Sequence, residues 1–127
     1  MAEGGFCVKV PKEWEVMPVE KDGTRSAFQW FRKGQGGVFI VSVNSDPSQK
    51  IPDDMTKTIG TPKDQNPTVT QGELAGGKGK WVLSIWKKQG GTNTLVQGAK
   101  GIISCGATGD DKSASEMLEL CKTLLPL

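Results

Sequence analysis

The chain has 127 residues and a formal net charge of +2, with 16 basic and 14 acidic residues intermixed along it. This length predicts a single domain, 1–127, whose core needs no metal, and the lack of a basic block argues against nucleic acid as a partner. There is no histidine and no apolar run near the roughly 18 residues of a membrane span, so neither histidine-based catalysis nor a transmembrane helix is expected.

The first half of the chain predicts short strands. Phe6–Val10 alternates between apolar and polar residues, which is typical of a half-buried strand, and Pro11 ends it because proline cannot donate to a ladder. Trp14 is expected to fold back as a plug over the sheet. Ser26–Lys33 and Val38–Asn44 predict a hairpin, and apolar residues on both faces of its second strand predict a central position in the sheet.

The middle of the chain, Ser45–Asn66, is weakly patterned and contains three prolines. Apolar residues at four-residue spacing predict a short helix over Ile51–Ile59. The remainder, Gly60–Pro67, predicts a loop long enough to carry a function.

Three further strands are predicted after this loop: Thr68–Leu74, Lys80–Lys88 and Thr94–Thr108. A glycine turn is expected at Gln89–Gly91, where positive φ carries no Cβ penalty. The glycines and lysines of Gly76–Lys80 suggest a phosphate loop, but a strand follows them and not a helix, so they indicate a hairpin turn.

A helix is predicted over Ser113–Leu125, near the C-terminus. Its apolar residues fall on one helical stripe: Ala114, Met117, Leu118, Cys121, Leu124 and Leu125. Ser113 and Glu116 have the spacing of a capping box, and Asp110 and Asp111 place negative charge at the positive end of the helix dipole. The element order predicts an α+β fold, an antiparallel sheet of about six strands with this helix packed on one face.

Two of the three cysteines are expected to approach each other. The strand parity puts Cys105 on one face with Leu95, Ile103 and Ala107. The helix stripe carries Cys121, so a helix packed on that face brings the two sulfurs together. A disulfide would close a short loop and indicate an oxidising compartment. The alternative is two buried free thiols that pack as small hydrophobes.

The aromatic residues predict packing more than recognition. Trp81 and Trp86 have opposite parity on one strand, so they cannot form one stacking platform, and core or edge packing is expected. Trp86, with Lys87 and Lys88 beside it, is the candidate for an exposed contact. The cysteine spacing does not fit zinc and the acidic residues do not fit a calcium loop, so no cofactor or metal is expected.

Three stretches together resemble the PsbP-like superfamily, named for an extrinsic protein of photosystem II. They are Phe6–Trp14, with an alternating strand, a proline, two residues and a tryptophan; Phe39–Val43; and the final strand and helix ending in Cys121–Leu125. The resemblance implies an α/β/α sandwich, with the antiparallel sheet between helices. The superfamily includes thylakoid-lumen proteins, a Ran-binding nuclear import factor and bacterial exported proteins, so it implies binding or assembly more than catalysis.

We therefore expect a non-enzymatic binding or assembly domain, a monomer that is exported to the periplasm and contacts an unknown protein partner. Met1–Gly5 lack the apolar core of a signal peptide, so an export signal would have to precede this sequence; a cytoplasmic location is the alternative. A second hypothesis is a small-molecule or metal-binding lumenal protein with a site near the 45–67 loop. A third is a cytosolic enzyme that uses carboxylates and lysines alone.

Overall fold

A computed structural model describes residues 6–10, 12, 14–17, 20–23, 25–32, 38–45, 50–58, 64, 66–74, 79–98 and 101–126. Within these ranges the chain forms ten strands, one α-helix and a 3₁₀ turn at Met55–Thr58: β1 (Phe6–Cys7), β2 (Trp14–Val16), β3 (Glu20–Asp22), β4 (Arg25–Arg32), β5 (Val38–Asn44), β6 (Thr68–Glu73), β7 (Gly79–Trp86), β8 (Gln89–Gly98), β9 (Gly101–Asp110), α1 (Asp111–Cys121) and β10 (Leu125–Pro126).

One antiparallel sheet organises the described chain, with the strand order β2-β4-β5-β9-β8-β7-β6 and β3 paired with β4 beside β2. The predicted hairpin of β4 and β5 is confirmed, and β5 lies between β4 and β9, as its two apolar faces predict. The turn expected between β4 and β5 lies outside the described residues. At the edge of the fold, β1 pairs with β10 and joins the two ends of the described chain.

The sheet is seven strands wide within the described residues, not about six as predicted: β2 is an added edge strand, and Phe6–Val10 contributes only β1, which pairs with β10 outside this sheet. The remaining difference is that Thr94–Thr108 is not one strand. It contains the end of β8 and most of β9, which pair antiparallel so that Gly98 lies opposite Gly101. Gly101 has a φ of 138°, and a Cβ there would collide with the carbonyl of Asn44. Glycine at position 101 therefore allows the chain to reverse between β8 and β9. The sequence on both sides of this reversal is uniformly typical of strands, so the pattern does not reveal it.

The turn between β7 and β8 is Lys87–Lys88, so the predicted turn at Gln89–Gly91 is wrong. Lys87 takes the left-handed conformation, with a φ of 53°. Gly90 lies inside β8, where an added Cβ would come within 2.8 Å of the Cβ of Ala114. Its lack of a side chain therefore lets the helix approach the sheet, and a turn is not its role.

The helix packs on β8 and β9, which confirms its predicted position on one face of the sheet. It begins two residues earlier than predicted, because Asp110 is the N-cap and accepts a hydrogen bond from the Ser113 backbone N–H at 2.6 Å. Ser113 is buried in the first turn, so the predicted capping box is wrong. The helix ends at Cys121 and not at Leu125, which belongs to β10. No helix in the described chain is long and apolar enough to cross a membrane.

The main core lies between the helix and the sheet. Its buried residues are Phe6, Trp14, Phe28, Trp30, Val41, Val43, Val96, Ile103, Cys105, Ala107, Met117, Cys121 and Leu124. Trp14 is 8% exposed, which confirms its predicted burial, but it lies in strand β2, paired with β4, and does not fold back over the sheet as predicted. The rings of Phe6 and Phe28 meet edge to face with centroids 5.2 Å apart, so β1 is held to the sheet by aromatic packing.

A smaller core covers part of the opposite face, where Met55 packs with Val82, Leu95 and Ile102. The helix predicted over Ile51–Ile59 is only the 3₁₀ turn at Met55–Thr58, and Ile59 lies outside the described residues. Among the described residues this turn is all that stands in the place of the second helical layer of the predicted sandwich. The described residues therefore leave much of that face open.

Candidate functional site

The predicted cysteine pair is brought together. The sulfurs of Cys105 and Cys121 lie 2.02 Å apart, at bonding distance, and both residues are fully buried. The bond joins the middle of β9 to the end of the helix. One detail of the prediction is wrong: Leu95 pairs with Ser104 and so lies on the face opposite Cys105, because β8 and β9 are separate strands of a hairpin.

The predicted contact residues lie at the β7–β8 turn. Lys87 and Lys88 are exposed, and Trp86 is half-buried with its indole N–H donating to Gln89 Oε1 at 3.1 Å. Trp81 lies on the helix side, where the Lys122 ammonium is 4.5 Å from its ring centroid. The predicted opposite parity of the two tryptophans is confirmed, and only Trp86 reaches the open face.

A groove of about 600 Å³ runs along that open face, over β4, β5, β9 and β8. Part of its floor is formed by Gly91 and Gly106, which have no side chains. A Cβ at Gly106 would lie 3.5 Å from Asn93 Oδ1, and a Cβ at Gly91 would lie no closer than 3.6 Å to its neighbours. These are ordinary van der Waals distances, so packing does not demand glycine at either position. The missing side chains instead leave the depression open.

The two ends of the groove differ in polarity. At one end lie the exposed Arg25 and the hydroxyls of Ser42 and Ser104, whose oxygens are 2.7 Å apart. At the other end the groove is lined by Val38, which is 41% exposed, and by the Trp86 indole. An amphipathic molecule aligned with the strands would match this gradient, because each part of it would meet groups of its own polarity.

The 50–58 segment forms part of the groove's border. Thr58 lines the groove, and the segment is anchored beside it by the Met55 N–H, which donates to Gln71 Oε1 at 3.0 Å. Asp53 lies 3.6 Å from the Lys80 ammonium, and Asp54 accepts a hydrogen bond from the Thr56 backbone N–H. Among the described residues of the predicted 45–67 site, Thr58 is the one that lines the groove.

No group of three or more cysteine, aspartate or glutamate side chains comes together as a metal site in the part of the chain that the structure describes. Asp53 and Asp54 have the structural roles just given, and Asp110 caps the helix. The acidic residues singled out by the sequence therefore act locally, on neighbouring backbone and lysine groups.

The sequence alone did not predict the groove. Its residues come from strands far apart in the chain, and Ser42 and Ser104 are 62 positions apart. The sequence did contain a weak indication of the groove. Ser42 interrupts the largely apolar strand β5, and Ser104 and Gly106, two residues apart and so on one face, interrupt the largely apolar strand β9. Which face they share depends on the β5–β9 register, in which Ser42 pairs with Ser104.

No family model, curated protein or solved structure matches this chain. The resemblance to the PsbP-like superfamily therefore stays a prediction from the sequence, and the groove is interpreted from its own chemistry.

Proposed function

We propose that this chain is a non-enzymatic binding domain whose site is the groove on the helix-free face of the sheet. The observation that carries the proposal is the combination of size and lining. A volume of about 600 Å³ lies within the range of roughly 300–1,000 Å³ that small-molecule sites occupy, and such sites pair apolar walls with a few placed polar groups. The groove has both, from Val38 and Trp86 to Ser42 and Arg25.

Binding fits the groove better than catalysis does. The chain has no histidine, and among the described lining residues the polar groups are hydroxyls, an amide and one guanidinium. A hydroxyl becomes a nucleophile only beside a general base, and none of these side chains serves as a base near neutral pH. The same groups orient a ligand well.

The proposal includes an oxidising compartment, such as the periplasm, because stable disulfides persist there and are rare in the cytosol. Its support is the pairing of Cys105 with Cys121. Acid quenching of the cells that make the protein, followed by alkylation in denaturant, measures the pair in place. We expect it to be bridged; a reduced pair in freshly quenched cells would refute the exported location.

The binding proposal is tested by NMR screening of a small-metabolite collection against the ¹⁵N-labelled chain. Ligands are expected to shift the amide signals of Ser42, Gly91 and Gly106, which line the groove, and to leave those of the exposed helix residue Ser115 unchanged. The variant Gly106→Val fills the floor of the groove and should lose these shifts. A screen without any binder, or binders that persist in the variant, would refute the proposal.

Protein contact is a second candidate, favoured by a separate observation. Val16 and Met17 are 52% and 42% exposed, and they lie at β2, whose outer edge pairs with no other strand among the described residues. An open strand edge with apolar side chains is a site for strand addition by a partner. A photo-crosslinker at position 16 should then capture one protein specifically, whereas one at Ser115 should not; equal capture from both positions would reject this candidate.

A further inference from the structure

We propose that the groove binds an elongated organic anion, with its negatively charged group at the Arg25 end and its apolar body directed toward Trp86. This inference rests on the proposed function, because it names the class of ligand for the same site. Three observations carry it: the charge at one end, the free donor capacity beside that charge, and the apolar surface at the other end.

The charge of the groove has one sign. Arg25 is the charged residue among the described lining residues, and no carboxylate lines the groove with it. Its guanidinium offers a planar pair of N–H donors that matches a carboxylate or sulfonate, and it repels a cationic head group.

The serine pair adds donor capacity beside Arg25. The oxygens of Ser42 and Ser104 are 2.7 Å apart, so one hydroxyl donates to the other. Each hydroxyl carries one donor hydrogen and two acceptor lone pairs. The bond within the pair uses one hydrogen and leaves the second able to donate, which suits an acceptor-only anion.

The opposite end of the groove carries Val38 and the Trp86 indole beside the Thr108 hydroxyl, and it is distant from Arg25. Arg25 lies level with Asn44 on β5, whereas a Cβ at Gly91, level with Thr108 and Val38, would lie 3.9 Å from the Trp86 ring. The seven residues of β5 between these levels span roughly 20 Å at about 3.3 Å per residue. A compact anion such as phosphate would reach only one end, whereas an elongated ligand would contact both.

Anilinonaphthalene sulfonate, an aromatic anion, is a suitable probe, because its fluorescence reports binding to the intact chain. We expect saturable binding that decanoate displaces. Decyltrimethylammonium has an alkyl chain of nearly the same length but a positive head group, and it should displace the probe at least tenfold less well than decanoate does. Equal displacement by the two competitors would overturn the anionic assignment.

Variants separate the charge from the site. Arg25→Gln should weaken binding of the probe about tenfold, as the loss of one exposed charge-assisted hydrogen bond predicts, whereas Lys112→Gln, on the exposed start of the helix, should not change it. Unchanged binding in Arg25→Gln would refute the proposed orientation of the anion.

Gly106→Val tests the site itself, because it places a valine side chain in the groove. Its control is Thr70→Val, which places a valine at an exposed strand position on the helix side. Near-ultraviolet circular dichroism verifies that both variants are folded. Loss of probe binding in Gly106→Val alone supports the groove as the site. Binding that survives in folded Gly106→Val would refute both the groove and the proposed function, whereas a failure of the charge tests alone would leave the proposed function standing.

Discussion

The Cys105–Cys121 bond is expected to supply a large share of the stability of this domain. The two cysteines are 16 positions apart, and a loop of that size contributes about 3 kcal/mol in the chain-entropy model, through the freedom that it removes from the unfolded chain. Domains of this kind have a free energy of unfolding of roughly 5–15 kcal/mol. Losing the bond should therefore remove between roughly a fifth and three fifths of the total.

The perturbation is reduction of the bond in a Cys7→Ser background, because Cys7 is free and exposed and would otherwise exchange with the pair. Reduction removes no heavy atom from either side chain, so no cavity adds to the cost. The chain is unfolded with reductant, refolded with the reductant present, and titrated with urea beside the oxidised form. With a slope of about 1–3 kcal/mol per molar urea, the midpoint should fall by roughly 1–3 M.

The reasoning is refuted if the two forms differ by less than about 1 kcal/mol, well below the loop-closure value. It also fails if alkylation of the non-reduced natural chain in denaturant labels all three cysteines. The expected labelling is of Cys7 alone, since the other two sulfurs are at bonding distance.

Three further substitutions test the packing. Leu118→Asp places an unpaired charge in the helix–sheet core, where Leu118 is 3% exposed. It should cost more than about 4 kcal/mol, so that circular dichroism shows an unfolded chain. A folded variant would contradict the packing of the helix, and Ser115→Asp is the exposed control. Thr94→Val removes a buried hydroxyl that has no partner among the described residues, so it should raise the free energy of unfolding by about 1 kcal/mol; a loss of stability would show that the hydroxyl is satisfied. Gly101→Ala should destabilise by more than about 2 kcal/mol in urea titration, because its φ is 138° and its Cβ would meet backbone, whereas Gly91→Ala should change stability little; equal effects would count against the β8–β9 reversal.

Several features could be predicted from local sequence because one short-range force fixes each of them. The β4–β5 hairpin follows from alternation and the helix from its apolar stripe, and both are present. Trp14 is buried as predicted, since a large aromatic residue at a strand end gains most from covering the core. The helix start differed by two residues because Asp110 and Ser113 are both good caps, and only the backbone geometry selects Asp110.

Several of the errors concern glycine. The sequence has glycines at positions 90, 98, 101 and 106. Each could mark a turn, a point where another element packs close to the backbone, or an open position on the surface. In the structure Gly90 admits the helix, Gly98 and Gly101 flank a reversal, and Gly106 leaves the groove floor open. These roles differ in what lies nearby in space, so a local pattern cannot separate them, and the missed reversal accounts for the missing strand.

The sequence by itself determined the periodic elements, the opposite faces of Trp81 and Trp86, and the faces that carry Cys105 and Cys121, because alternation in a strand and the stripe of a helix are set by neighbouring residues. Only the tertiary structure decided the strand order and register that place Ser42 beside Ser104 and open a groove between Arg25 and Trp86. The physical reason is that side-chain direction is a local property, whereas the partner of a strand is chosen by the burial and hydrogen bonding of the whole sheet.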